Sequence, residues 1–187
     1  AALDVRRPYA LFGPATIEPR KDVPTLIRAF DAVAGDHPAV TLVLAGGRGW
    51  GWDAAADAIA SARHAARITT LGFVPDEVVP SLLRQAVAVA YPSLEEGFGL
   101  TALEALACGV PLITTTGSAM EEVAGDAAVL VAPGDHAALA EALDHVLKGD
   151  PQAAARRASG IAKARASTWD VAAAGHVAAY QAARRVS

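Results

Sequence analysis

The chain has 187 residues, with 16 basic and 20 acidic side chains, one cysteine and 53% hydrophobic residues. This length supports one domain, or two very small ones, with enough chain for a hydrophobic core. The net charge of −4 argues against a nucleic-acid-binding protein, which needs a basic surface. One cysteine excludes a disulfide framework and favours a reducing compartment, and no apolar run reaches the roughly 18 residues of a membrane span.

Short β-type runs alternate with segments of helical pattern along the whole chain. Six strands are predicted, in chain order: Tyr9–Gly13, Val40–Ala45, Ile68–Gly72, Ala86–Tyr91, Val110–Thr114 and Ala128–Val131. Between and after them, seven helices are predicted: Val23–Ala34, Asp53–Ala66, Pro75–Gln85, Thr101–Cys108, His136–Leu147, Pro151–Ala166 and Trp169–Arg184. This alternation predicts one α/β Rossmann-like domain, a six-stranded parallel sheet with helices on both faces and carboxyl-terminal helices. The expected strand order is 3-2-1-4-5-6.

Open α/β sheets bind ligands at the carboxyl ends of their strands, so the loops there are the first place to look for a site. The loop 92–101 follows the fourth strand. Gly97 and Gly99 permit unusual backbone angles, and the next helix offers unpaired N–H groups, which together predict an anion site. Glu104, one turn into that helix, suits the two hydroxyls of a ribose beside a diphosphate. Glu96 lies in the loop itself and is placed to bind another polyol.

The same residues also fit a purely structural role. Thr101 and Glu104 have the spacing of a capping box, in which each side chain satisfies a backbone N–H at the start of the helix. Glycines before a helix are common in ordinary turns. Spacing alone leaves the two interpretations open.

A basic pair, Arg20 and Lys21, follows the first strand. A diphosphate carries about two or more negative charges, which a site that binds it must stabilise. Two cations and a helix N-terminus could do so. The alternative is that Arg20 and Lys21 are a solvated loop pair. The chain has no Asp-x-Asp sequence, so we expect no metal-dependent design.

Several other residues carry weaker signals. The segment Gly46–Trp52 fails the G-x-G-x-x-G pattern because Trp52 takes the place of the last glycine. Trp50 and Trp52 are expected either to flank a base or a facing domain, or to pack within their loop. The five histidines form no ligand pattern. We expect Cys108 to be a small buried side chain near a helix end, and Trp169 to anchor the last helix.

Four ordered motifs resemble family 4 retaining glycosyltransferases of the B-type fold. The segment Glu96–Glu104, followed by 105–111, resembles the family's E-x7-E signature. The segment 16–22 resembles its first loop, 71–75 its base-side loop and 121–125 a later motif. The resemblance therefore extends over nearly the whole chain.

The resemblance implies a site for a nucleotide-diphosphate sugar in a retaining, hexosyltransferase-type enzyme. The donor is then a UDP-, GDP- or ADP-sugar, with no cofactor and no metal. In such enzymes the second glutamate holds the ribose diol, the first contacts the transferred sugar, main-chain amides hold the diphosphate, and a second loop lines the base. The donor-binding residues implied are Gly97, Phe98, Gly99, Leu100, Thr101, Glu104, Phe73 and Val74. The catalytic residues implied are Arg20, Lys21 and Glu96.

Three positions depart from the pattern of the family. Thr16 stands where an Arg is common, Ala15 where a Gly is usual, and Thr101 where a Pro is common. Lys21 matches the family's Lys. The missing Arg leaves Arg20 as the candidate for that role.

The chain starts without Met, just ahead of a strand. We therefore expect residues 1–187 to be the donor-binding half of a longer enzyme whose amino-terminal acceptor domain is absent, so that the chain alone is inactive or weakly active. The expected location is cytoplasmic, with any membrane contact, at the inner face, made through the missing domain. Two alternatives are a non-catalytic nucleotide-sugar sensor and a dehydrogenase-like dinucleotide binder.

Overall fold

Six strands form one parallel sheet in the computed structural model, which describes residues 5–13 and 15–184. They are β1 (Tyr9–Phe12), β2 (Thr41–Ala45), β3 (Ile68–Gly72), β4 (Ala88–Tyr91), β5 (Leu112–Thr115) and β6 (Ala128–Val131). The order across the sheet is β3-β2-β1-β4-β5-β6, and every paired neighbour runs parallel. The predicted fold class and strand order are confirmed.

Eight α-helices connect and follow the strands within the described ranges. They are α1 (Val23–Val33), α2 (Trp52–Ser61), α3 (Val79–Gln85), α4 (Leu100–Cys108), α5 (Ala119–Ala124), α6 (His136–Gly149), α7 (Ala153–Ala166) and α8 (Trp169–Arg184). Short 3-10 turns lie at Pro19–Lys21, Ala65–Arg67 and Gly125–Ala127. Helix α3 starts four residues later than predicted, because residues 76–78 form a turn. Helix α5 was missed, since six residues give too short a helical period to recognise.

The core lies between the sheet and two groups of helices. All residues of β1, β2, β4 and β5 are buried, as expected for strands covered on both faces, whereas the edge strand β3 is only partly covered. Helix α1 contacts α2 and α6, and helix α4 contacts α3, α5 and α7. The large apolar side chains of the central strands therefore set the position of both helix layers.

Trp169 does not anchor helix α8, contrary to the prediction from the sequence. The indole of Trp169 is 79% exposed, and all residues of Trp169–Arg184 are exposed, including Val177 and Tyr180. The expected role of Trp169 was wrong because no core surface of the described residues lies within its reach. No helix of residues 5–13 and 15–184 combines the length and apolarity needed to cross a membrane.

The strand order reverses between β1 and β4, so the carboxyl ends of these two strands lie side by side. A buried hydrogen bond joins them there: the Tyr91 hydroxyl donates to the carbonyl oxygen of Gly13 at 2.7 Å. Gly13 has φ +111°, and a Cβ on it would lie 1.9 Å from the Ala45 carbonyl oxygen, so no other residue fits. Burial raises the pKa of Tyr91 far above its ordinary value, which keeps the hydroxyl protonated and able to donate.

This bond predicts the stability of a Tyr91→Phe variant. Removing the hydroxyl leaves the Gly13 carbonyl without its donor, so we expect the free energy of unfolding to fall by about 1–3 kcal/mol. Urea denaturation measures the change. Tyr180→Phe is the matched control, since Tyr180 is 68% exposed and should leave the unfolding midpoint unchanged. Equal effects of the two substitutions would contradict a special role for the bond.

Candidate functional site

Two loops meet where the strand order reverses, and we call the space between them the switch-point crevice. The first loop (15–22) follows β1, and the second (92–99) follows β4. The Leu94 N–H donates to the Arg20 carbonyl oxygen at 2.7 Å, and Arg20 Nη1 donates to the Glu95 carbonyl oxygen at 3.2 Å. Ligands of open α/β sheets bind at this kind of position.

The side chain of Glu96 connects the two loops through ion pairs. It is only 8% exposed. Its Oε1 accepts from Lys21 Nζ and, at 2.9 Å, from Ser93 Oγ, and its Oε2 accepts from Arg20 Nη1 at 2.8 Å. Burial alone would raise the pKa of Glu96, but the hydrogen bonds from Lys21, Ser93 and Arg20 outweigh it and hold the pKa below its ordinary value. Glu96 is therefore a carboxylate at neutral pH.

The two cations of the first loop are not equivalent. Lys21 is 7% exposed and pairs with Glu96, so the alternative of a solvated loop pair is wrong for this residue. The Arg20 side chain is 44% exposed and also pairs with Glu18 at 2.7 Å. Its hydrogen bond to Glu96 raises the pKa of Arg20 further, so it carries a full positive charge. Arg20 can turn towards a ligand, whereas Lys21 is held beneath Glu96.

The start of helix α4 lies beside this cluster and offers free backbone donors. Gly99 caps the helix with φ +88°, a conformation that favours glycine. Within the described chain the N–H groups of Phe98 and Gly99 donate no hydrogen bond. Leu100 and Thr101 are the first two helical residues, whose N–H groups lack a partner in any helix. Such an arrangement is suited to an anion, and the predicted anion site stays a prediction.

The capping-box alternative does not hold. Helix α4 begins at Leu100 with Gly99 as its cap, so Thr101 is the second helical residue and cannot cap it. Glu104 is therefore not tied to the backbone, and its side chain is exposed one turn into the helix. The sequence spacing was ambiguous because the glycine cap starts the helix two residues earlier than a capping box at Thr101 requires.

Glu104 lines a groove of about 490 Å³ between α3 and α4, which we call the α3–α4 groove. Its other lining residues are Asp76, Val79, Pro80, Leu83, Arg84, Ala107 and Cys108. Loss of hydration and the nearby charge of Asp76 both raise the pKa of Glu104. Cys108 ends α4 as predicted but is half-buried rather than buried, because its side chain faces this groove.

In the predicted base-side loop, the side chain of Phe73 is exposed and that of Val74 is buried. Phe73 is 78% exposed, so its ring is available to a ligand. Val74 is 4% exposed and packs in the core, which leaves its main chain alone to contact a base. Trp52 packs against the core with Arg48 over its ring at 4.8 Å, while Trp50 is 72% exposed. Loop packing therefore accounts for Trp52 and not for Trp50.

Sequence reasoning gave no role to several residues of the site. Gly117, Ser118 and Ala119 line the switch-point crevice opposite Glu96. The Gly117 N–H donates to Glu121 Oε2 at 2.7 Å, which fixes this loop. The crevice is lined by loops that are far apart in the chain, so no local sequence pattern predicts that they meet. Across residues 5–13 and 15–184, no cluster of three His, Cys, Asp or Glu side chains suited to a metal ion is found.

Comparison with known proteins identifies the family of this domain. The model of the family described as "Glycosyl transferases group 1" matches residues 5–165. The chain belongs to the group 1 glycosyl transferases. O-antigen chain mannosyltransferase B of Escherichia coli is 35% identical over 163 residues, which are 87% of this chain and 42% of that protein. Glycogen synthase of Mycobacterium tuberculosis is 35% identical over 182 residues, which are 95% of this chain and 44% of that protein.

Solved structures share the fold of this domain. Sucrose-phosphate synthase from Thermosynechococcus elongatus superposes with a TM-score of 0.81 at 25% identity, over 96% of this chain and 46% of that one. The C-terminal domain of LpcC, a group 1 glycosyl transferase from Francisella tularensis, gives a TM-score of 0.76 at 24% identity, over 86% of both chains. The chain thus spans less than half the length of the curated relatives and matches an isolated domain well. The family resemblance is confirmed, and family membership argues against the dehydrogenase-like alternative.

The charge cluster predicts the pH dependence of a Glu96→Gln variant. The pKa of Glu96 is lower in the folded protein, so its stabilisation is present above the unfolded pKa of about 4.3 and is lost as the pH falls through the folded value. At pH 7 we expect the variant to unfold with a free energy lower by about 1.5–3 kcal/mol. Urea denaturation from pH 7 to pH 3 should show the gap closing at acid pH.

Glu95→Gln is the control for this experiment, because Glu95 is an exposed neighbour in the same loop. We expect it to have little effect at any pH. A Glu96→Gln gap that stays constant down to pH 3 would contradict the ion-pair assignment.

Proposed function

We propose that this domain binds a nucleotide-diphosphate sugar and stabilises the departing diphosphate during retaining glycosyl transfer. The observation that carries the proposal is the switch-point crevice, where Arg20, Lys21 and Glu96 lie beside the free amides of α4. Group 1 relatives include a mannosyltransferase and a glycogen synthase, which supports sugar transfer. One structural neighbour, Anabaena Alr3699/HepE, was solved in complex with UDP and glucose and superposes with a TM-score of 0.78 at 23% identity.

The diphosphate is assigned to the start of α4 and to Arg20. When the bond between the anomeric carbon and the diphosphate breaks, its electron pair moves onto the diphosphate oxygen. The backbone N–H groups from Phe98 to Thr101 and the guanidinium of Arg20 oppose this growing negative charge. In this scheme no metal is required for leaving-group stabilisation, because the chain supplies the positive charge itself.

The ribose is assigned to Glu104. A carboxylate accepts hydrogen bonds at two oxygens and so suits the two neighbouring hydroxyls of a ribose. Glu104 lies one turn along α4 from the anion site and has an exposed side chain that no cap holds. The distance along one helix then sets the separation of diphosphate and ribose.

The transferred sugar is assigned to the crevice beside Glu96. Glu96 is ionised and held by three donors, so it can accept hydrogen bonds from sugar hydroxyls without moving. Gly117 and Ser118 line the opposite wall. A fixed acceptor of this kind orients the anomeric carbon relative to the diphosphate.

The rest of the enzyme is also part of the proposal. Because the chain spans less than half of its curated relatives, we assign the acceptor pocket to an amino-terminal domain of a longer protein. The isolated chain is then expected to bind donor and transfer sugar weakly. The proposed location of the parent enzyme is the cytoplasm, with any membrane contact made through that other domain.

A non-catalytic nucleotide-sugar sensor is the second candidate. It is favoured by Thr16, a neutral exposed residue where the family commonly has an Arg. The two functions differ in turnover and not in binding. Detectable sugar transfer by a longer chain that includes the amino-terminal domain would exclude the sensor.

The ribose assignment predicts weaker nucleotide binding by Glu104→Gln. The variant loses a charged acceptor, so we expect its affinity for UDP or GDP to fall by about 10-fold or more, with stability changed by no more than about 1 kcal/mol. Isothermal titration calorimetry measures the affinity. Glu141→Gln, an exposed glutamate of α6, is the matched control. Equal affinity of the Glu104 variant and the unmodified chain would refute the assignment.

The diphosphate assignment predicts that the effect of Arg20→Met grows with the number of phosphates. We expect affinity to fall more for a nucleoside diphosphate than for the monophosphate, and not at all for the nucleoside, because Arg20 is assigned to the phosphates alone. Calorimetry with the three ligands gives the comparison. Arg63→Met is the control, since the Arg63 side chain is 73% exposed and lies before β3, at the opposite end of the sheet. A uniform loss for all three ligands would contradict the assignment.

A further inference from the structure

We propose that Thr115 is a positioning residue of the switch-point crevice, because it ties both walls of the crevice to the end of one strand. It acts on the transferred sugar through Glu96 and does not touch the sugar, since its side chain is completely buried. The inference rests on the proposed function and adds the residue that sets the geometry of the sugar site.

Thr115 holds the main chain of the loop that carries Glu96. It is the last residue of β5, and its hydroxyl donates to the carbonyl oxygen of Ser93 at 2.6 Å. A carbonyl oxygen can only accept, so the direction of this bond is fixed. The loop 92–99 is therefore held at its second residue, close to the point where it leaves β4.

Ser93 connects Thr115 to the carboxylate. Its side chain is also completely buried, and its hydroxyl donates to Glu96 Oε1 at 2.9 Å. An ionised carboxylate can only accept, so this hydroxyl has one direction as well. The two bonds hold the Glu96 carboxylate from its own side of the crevice, whereas Arg20 and Lys21 hold it from the loop after β1.

The main chain of Thr115 holds the opposite wall. Its carbonyl oxygen accepts from Ser118 Oγ at 3.3 Å, and Ser118 Oγ accepts from the Met120 N–H at the start of α5. Ser118 and Glu96 both line the crevice, which has a volume of about 460 Å³. The hydroxyl of Thr115 thus positions one wall and its carbonyl oxygen the other, so their separation depends on this residue.

A purely structural role for Thr115 is the alternative, and Thr114 separates the two. Thr114 is also completely buried, and its hydroxyl donates to the Tyr91 carbonyl oxygen at 3.0 Å. Tyr91 lies within β4 and not in the loop. Removing either hydroxyl costs a buried hydrogen bond to the main chain, but only that of Thr115 leads to Glu96.

The test measures the contribution of the sugar to binding. Isothermal titration calorimetry of the chain compares UDP-glucose with UDP, and GDP-mannose with GDP. In Thr115→Val we expect the affinity ratio of nucleotide sugar to nucleoside diphosphate to fall about 3- to 10-fold, while the affinity for the nucleoside diphosphate stays the same. Thr115→Ser, which keeps the hydroxyl, and Thr114→Val, the matched control, should both keep the ratio of the unmodified chain.

The other outcomes separate the inference from the function beneath it. An unchanged ratio in Thr115→Val, an equal fall in Thr114→Val, or no rescue by Thr115→Ser would overturn the role of the Thr115 hydroxyl and leave the donor site standing. No binding of any of the four ligands by the unmodified chain would overturn the proposed function itself. Thermal unfolding checks that each variant is folded.

Ser93→Ala is the second variant, which removes the hydroxyl between Thr115 and Glu96 without changing β5. We expect it to lower the same ratio by a similar factor. If Thr115→Val does not fold, this variant decides, and an unchanged ratio in a folded Ser93→Ala chain would overturn the inference.

Discussion

The ionised side chain of Glu96 is the contact on which the candidate site depends. It connects the loop after β1 to the loop after β4 by accepting from Lys21 and Arg20. Lys21 is buried, and a buried ammonium group without a carboxylate partner would cost several kcal/mol. The folded state therefore needs Glu96 at this point, where the strand order reverses and a crevice opens between the two loops. The carboxylate of Glu96 therefore stabilises the fold and also belongs to the candidate site.

The unequal exposure of the two cations suggests how a charged ligand would enter under the proposed function. Arg20 pairs with Glu18 and Glu96 at its exposed end, where water screens both contacts. A diphosphate beside the start of α4 would offer Arg20 a multivalent anion in place of singly charged carboxylates. Glu96 meanwhile keeps Lys21 and Ser93, so its geometry is maintained when Arg20 turns away. One cation is then mobile and the other structural.

The sequence predicted features that depend on local pattern and missed those that depend on distant contacts. Alternation of β-type and helical runs predicted all six strands, because buried parallel strands read as short apolar runs, and the strand order followed from the expected Rossmann-like fold. The role of Trp169 and the capping box of Thr101 were wrong, since each required knowing what lies beside the residue or where a glycine starts the helix. Ser93 and Asp76 gave no signal at all. Ser93 lies only three residues from Glu96, but their hydrogen bond depends on how the loop folds, and Asp76 shares a groove with Glu104 only because of the fold.

Positive and negative groups of the site lie at different positions along helix α4. At its start are free N–H groups and the neighbouring Arg20, which together form a positive region. One turn further, Glu104 and Asp76 form a negative region that contains no cation paired with either, within the described residues. A nucleoside diphosphate has the complementary order, with phosphate charge at one end and hydroxyl and N–H donors at the other. Under the proposed function, a single inorganic anion would satisfy only the first region, whereas a nucleotide would satisfy both.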